Sequence, residues 1–326
     1  MSTHSESMTR RTLLTSMAGA AAAAALGTRR AAAAERAKVV RVESARIWKG
    51  DARDPRVVAE MVNRGMAAFT GDGQAEAAWK RVFRPGMRVG LKINLLGRPL
   101  IYTAREITDA LTAAALAAGV KADDIVVWDR HRDHFGPTVY RFGRGRFGER
   151  IEPGGRYDSA RVLRASGGPA PVDLIASRGT DVTINLPVLK DHVAAGVTMA
   201  LKNIAFGCYD HHRRAHDGNC DPFIAEAYEH YLTVTKVPLV VLDATECCFD
   251  QGPQPGNRST MWRENAIYVA TDPVALDVVT RALIMDRRRA AGLPDRMRQS
   301  RHIETAAAKG LGVGDLSRID VATVKM

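Results

Sequence analysis

The chain has few cysteines, no internal repeat, a deficit of acidic residues and almost no long apolar runs. Four cysteines in 326 residues are too few for a disulfide scaffold. Their spacing fits neither structural zinc nor the regular run that ligates an iron–sulfur cluster. Beyond the N-terminal segment, no stretch approaches the roughly 18 consecutive apolar residues that a membrane helix needs. The chain therefore reads as having no stable membrane span once that segment is cleaved. Asp and Glu number 36 against 47 Lys and Arg, a formal charge of +11, which suits a small anionic partner.

What is present begins with Thr9-Arg10-Arg11-Thr12, an Ala-rich apolar run from Met17 to Leu26, and a small-residue block from Ala31 to Ala34. This is the layout of a twin-arginine export signal over residues 1–34, which the twin-arginine export machinery would read. The expected destination is the periplasm or the exterior, where nucleic acid is an unsuitable partner. Removal of 1–34 takes four arginines and Glu6 and leaves a charge of about +8. Residues 35–326 are long enough for one compact domain or two closely packed lobes.

Along that domain, apolar strands alternate with helical periodicity at spacings of about 30 residues. Strands are expected at 38–48, 87–94, 124–128, 181–187, 237–243 and 266–270. Asp54-Pro55 and Asp272-Pro273 open helices. The pattern predicts an α/β fold with a mostly parallel sheet flanked by helices. In such sheets ligands sit beyond the carboxyl ends of the strands, and two polar clusters, 94–98 and 129–134, fall at such ends. Residues 135–170 read as a long loop or small subdomain over the sheet, an Arg-rich lid rather than a nucleotide site. Within them Gly143-Arg-Gly145-Arg-Phe-Gly148 spells the dinucleotide fingerprint, but an Arg-rich segment precedes it where a buried strand should stand.

The densest chemistry lies at 181–203, where an apolar run stops at Pro187 and is followed by Lys190, Asp191, His192, Lys202 and Asn203. This reads as strand, loop, then helix. His131 and His192 are the acid–base candidates, because imidazole titrates near neutral pH. Lys190 and Lys202, near apolar runs, are candidates for a lysine of lowered pKa that acts as nucleophile or anchor. Arg98 can hold a carboxylate with its planar fork. Asn94 and Asn203 are further substrate-binding candidates. Between residues 208 and 220, Cys208, His211, His212 and His216 form a candidate transition-metal set; the alternative is a basic loop closed by a Cys208–Cys220 disulfide. For Cys247 and Cys248, packing is the expected role.

Several segments together are similar to the domain-of-unknown-function 362 family: Val89-Gly-Leu-Lys-Ile-Asn94, Asn185-Leu-Pro-Val-Leu-Lys-Asp-His192, Thr198-Met-Ala-Leu-Lys-Asn203, Gly252-Pro253 and Ala270-Thr-Asp-Pro-Val-Ala-Leu-Asp277. More distantly, the order of polar clusters resembles the nickel-pincer lactate racemase family. That resemblance implies Arg98 on the substrate carboxylate, His131 and His192 as catalytic histidines, Lys202, ten positions after His192, as the cofactor tether, and nickel on His211, His212 or His216. Ala200-Leu201 stand where that family has a glycine pair. Two functions follow as expectations. One is an exported racemase- or epimerase-like or redox enzyme acting on a small anionic or hydroxylated substrate with a metal-containing cofactor. The other is a non-catalytic exported carrier of a metal or an anion.

Overall fold

The computed structural model describes residues 36–211 and 213–326. The expected export signal and His212 lie outside these residues. Ala37–Met326 forms one unit built of β1 (Ala37–Glu43), α1 (Pro55–Thr70), α2 (Ala75–Lys80), β2 (Val89–Lys92), α3 (Arg105–Ala117), β3 (Ile125–Asp129), β4 (Arg150–Pro153), β5 (Tyr157–Ala165), β6 (Gly168–Asp173), β7 (Val182–Asn185), β8 (Val188–His192), β9 (Gly196–Thr198), α4 (Ala200–Gly207), α5 (Phe223–Val234), β10 (Lys236–Cys248), β11 (Ala266–Ala270), α6 (Pro273–Ala290), α7 (His302–Ala308) and β12 (Ile319–Lys325).

The main sheet runs β12-β1-β11-β10-β7-β2-β3-β4, with two-residue strands at its margins. The block β10-β7-β2-β3-β4 is parallel throughout, and β11 pairs antiparallel with both β10 and β1. The expected α/β architecture, a mostly parallel sheet flanked by helices, is the one observed. Alternate residues feed the two faces. In β10, Leu239 and Val241 join the core under α1–α3, while Val240, Leu242 and Ala244 join the core under α4–α7.

The expected helix starts hold. Asp54 caps α1 through the Arg56 amide, with Pro55 in the first turn, and Asp272 caps α6 through the Ala275 amide. Two loop expectations fail. Residues 135–170 are not a long loop: they hold β4 and much of a two-stranded ribbon of β5 and β6 that packs on α5. Gly143–Arg144 pairs antiparallel with Arg150–Ile151 through a turn, so the Gly-rich spelling opens no helix and offers no dinucleotide site. The stretch after Pro187 is likewise a strand, not a loop. β10 is 13 residues long and outruns the sheet. Its second half pairs with β8, Val188 opposite Asp243 and Lys190 opposite Cys248. β8 then turns back as a hairpin into β9. That turn needs Gly196, whose φ is +71° and whose missing Cβ would lie 2.7 Å from the Arg296 carbonyl.

Candidate functional site

Because β2, β3 and β7 run parallel in register, with Lys92 opposite both Trp128 and Asn185, their carboxyl ends share one edge of the sheet. A cavity of about 200 Å³ opens there. Its lining includes Asn94, Asp129, Arg130, His131, His134, His192, Thr198, Lys202, Asn203, Phe206, His211 and His216. A larger depression of about 510 Å³ lies elsewhere, by Trp48 and Trp262. Two of its arginines are already paired, Arg258 with Glu246 and Arg263 with Asp51, so the smaller cavity is the better candidate.

The floor is a buried polar network. The Lys92 ammonium, fully buried, donates to Asp129 Oδ1 at 2.7 Å and to the Ile93 carbonyl at 2.6 Å. Asp129 Oδ2 accepts the Leu95 amide at 2.7 Å. Burial pushes the Asp129 carboxyl up, but the Lys92 charge and these hydrogen bonds outweigh it and hold it below the usual range. Gly207 permits this close approach, since a Cβ there would meet the Lys92 ammonium at 2.6 Å. Lys190, also fully buried, donates to Asn94 Oδ1 at 2.8 Å and to the Leu96 carbonyl. Asn94 then donates to Asn203 Oδ1 at 3.0 Å, Asn203 to Asn185 Oδ1 at 2.8 Å, and Asn185 to the Ala200 carbonyl at 2.8 Å. This relay fixes every amide orientation. Asn94 and Asn203 line the cavity, but their amides are largely spent on one another.

Lys202 is different. It sits in the first turn of α4, 4% exposed, with its ammonium 3.7 Å from the Phe206 ring centroid. It donates no hydrogen bond among the described residues. Burial lowers it to about 8 and lowers Lys190 to about 7. His192 lies alongside. Its Nδ1 accepts the amides of Ala194 and Ala195, each at 3.1 Å, so the proton resides on Nε2. Burial, then the Lys202 charge, keep the ring neutral far below its ordinary range. His192 is therefore a neutral imidazole that presents its Nε2–H. His216, at the rim, lies 6.2 Å from the His192 ring and 5.7 Å from the His211 ring; burial, then Lys202, lower it too. His131 and His134 also line the cavity, their rings 4.7 Å apart. Burial lowers both, His134 to about 4.

The remaining candidates are placed less centrally. Arg98 is not in the lining; it faces Asp133 at 3.3 Å. Arg130, which sequence reasoning passed over, lines the cavity and donates to Tyr157, Asp210 and the Phe206 carbonyl. It also meets His211 Nε2 at 2.7 Å, so that nitrogen is occupied by a guanidinium. Cys208 is fully buried outside the lining, and burial pushes its thiol up to about 12. Cys208 and Cys220 are free thiols, so the disulfide alternative is not formed. Among the described residues, no group of three or more His, Cys, Asp or Glu side chains stands at metal-binding spacing. The start of α4 does not suit a cofactor phosphate either, because the Ala200 and Leu201 amides already donate to the Asp277 carboxylate at 2.8 and 3.0 Å. Phe206 and His134 were also missed. Only the short interval from His131 to His134 in the sequence signals the second.

The segment that carries β7 to β9, α4, His211, His216 and Asp277 is also the one with a recognisable family signature. Residues 175–282 match the family described as Domain of unknown function (DUF362). The match supports the DUF362 resemblance and covers Lys190, His192, Lys202 and Asn203. No curated protein matches the chain. Among solved structures, a crystal structure of a Thermotoga maritima protein is similar at 10% identity and a TM-score of 0.37, over 80% of this chain. The chain spans 60% of that protein's length, and a likeness this loose does not bear on function.

Proposed function

We propose that the cavity at the carboxyl edge of the sheet binds a small anionic or hydroxylated molecule and moves a proton on it, in the manner of a racemase or epimerase, within an exported enzyme. The observation that supports this is Lys202: a desolvated amine with no hydrogen-bond acceptor among the described residues, set beside neutral imidazoles in a cavity. Among the described residues neither Lys190 nor Lys202 forms an ion pair with a carboxylate, whereas Lys92 is neutralised by Asp129. The pocket therefore favours negative charge or a developing oxyanion. Lys202 and the Nε2–H of His192 would stabilise that oxygen. His216, neutral and solvent-accessible, would accept the proton. Arg130, in the lining, is paired with Asp210, and Arg98, outside it, with Asp133.

The test is binding and deuterium exchange. The full chain is titrated with a panel of 2-hydroxy and 2-oxo acids, and exchange of their carbon-bound hydrogens in deuterium oxide is followed by NMR. At least one acid is expected to bind and exchange, and His216→Ala is expected to slow exchange by about 10²–10⁴-fold. Absence of both binding and exchange across the panel refutes the proposal, and binding without exchange favours the carrier reading. Elemental analysis of the exported protein tests for a metal. For the export proposal, replacement of Arg10 and Arg11 by Lys should retain the protein in the cytoplasm.

A further inference from the structure

We infer that Lys202 is an imine-forming lysine and that the molecule held in this cavity carries an aldehyde or ketone carbonyl. This rests on the reading of the cavity as the functional site and narrows its substrate class.

Three buried lysines surround this edge of the sheet, and only one is chemically available. Lys92 is committed to Asp129 and the Ile93 carbonyl, and Lys190 to Asn94 and the Leu96 carbonyl. Lys202 has only the face of Phe206. That ring attracts an ammonium, yet burial without an acceptor opposes the charge more strongly. The groups that act on Lys202 electrostatically are His192, His216, His302, Lys190 and Cys220. None is a carboxylate that would hold the amine protonated. An amine that is neutral in part near neutral pH, facing a cavity, is the nucleophile that carbonyl addition requires.

The surroundings supply the other half of the reaction. The amine nitrogen adds to the carbonyl carbon as the C=O π bond breaks, and one N–H proton passes to the oxygen, giving a carbinolamine. The C–O bond then breaks, the hydroxyl takes the second nitrogen proton and leaves as water, and the C=N bond forms. No oxidant or reductant is consumed. A proton carrier stands close by in His216 at the rim; His302, at the start of α7, lies outside the cavity lining. His302 is fully buried with neither ring nitrogen hydrogen-bonded. A buried imidazole left without partners is costly, and burial, then the Lys202 charge, lower His302 to about 3. Thr198, in the cavity lining, has a similarly unpartnered buried hydroxyl. That hydroxyl matches a ligand with an oxygen atom to satisfy.

The experiment is reductive trapping. The full chain is incubated with glyoxylate or pyruvate and sodium cyanoborohydride, then analysed by intact mass and peptide mapping. The expected result is one adduct per chain, on Lys202, with Lys190 unmodified and no adduct at that peptide in Lys202→Met. Adducts scattered over surface lysines, or none at Lys202, overturn the inference. Calorimetric titration of the wild-type chain with the same oxo acids separates the two levels: binding without an adduct refutes the imine and leaves the site standing, whereas no binding refutes both. Mapping of the wild-type chain decides the matter even if Lys202→Met fails to fold.

Discussion

Replacing Asp129 with Asn tests the floor of the cavity. Lys92 and Asp129 are both buried and lie 2.7 Å apart. At an effective dielectric of about 20, their attraction is about 6 kcal/mol, much of it offset by the cost of burying both charges. Removing one partner leaves the other charge orphaned. In Asp129→Asn the Lys92 ammonium loses its carboxylate and keeps the Ile93 carbonyl and at most a neutral amide oxygen. The amide must also turn a donor toward Lys92 or toward the Leu95 or Arg130 N–H, all of which are donors themselves. The expected cost is about 3–5 kcal/mol, read from urea unfolding at pH 7. The sign with pH follows from the depressed carboxyl. Its stabilisation is present above the unfolded value of about 3.9 and is lost as pH falls through the lower folded value, so the mutational cost should shrink in acid. Lys92→Met combined with Asp129→Asn removes the orphan charge and should recover at least half the loss. A single-mutant cost below about 1 kcal/mol, or a double mutant no more stable than Asp129→Asn, would refute the assignment of this pair as the structural floor.

Two further predictions concern groups that burial holds away from their ordinary values. Lys190 at about 7 and Lys202 at about 8 bind fewer protons when folded than the unfolded chain does up to about 10.4. Stability should therefore rise between pH 7 and 9.5, and Lys190→Met and Lys202→Met should each flatten that rise in urea midpoints; an unchanged slope in both variants counts against their burial as charged groups. Asp277 is raised by burial to about 7, although the Leu201 and Ala200 amides pull the other way, so its contribution is full in acid and is lost as pH rises through 7. The difference in midpoint between wild type and Asp277→Asn should change with pH between 5 and 7.5, and a constant difference refutes the shift.

Much of the architecture is legible because it rests on local rules. Asp54-Pro55 and Asp272-Pro273 announce helices through capping chemistry, and uninterrupted β-branched runs announce buried strands. Parallel alternation then puts the strand-end clusters on one edge, which is why His131, His192, Lys202, Asn94 and Asn203 meet at one cavity. Arg98 did not follow, because its side chain turns toward Asp133 on the neighbouring loop, a choice that no local pattern records.

The failure at β8 has a different cause. Three of its five residues, Lys190, Asp191 and His192, are ionisable and read as loop, yet all three are buried. Burial of such groups is tolerated only where partners exist. Lys190 finds Asn94, 96 residues earlier; Asp191 finds the Gly252 amide, 61 residues later; His192 finds two amides of its own turn. Only the last is local. Dense charge in a strand is evidence of distant partners, and one of them, Asn94, lines the cavity. By the same logic, Lys202 and Thr198, buried in the cavity lining without partners among the described residues, are left for a ligand to satisfy.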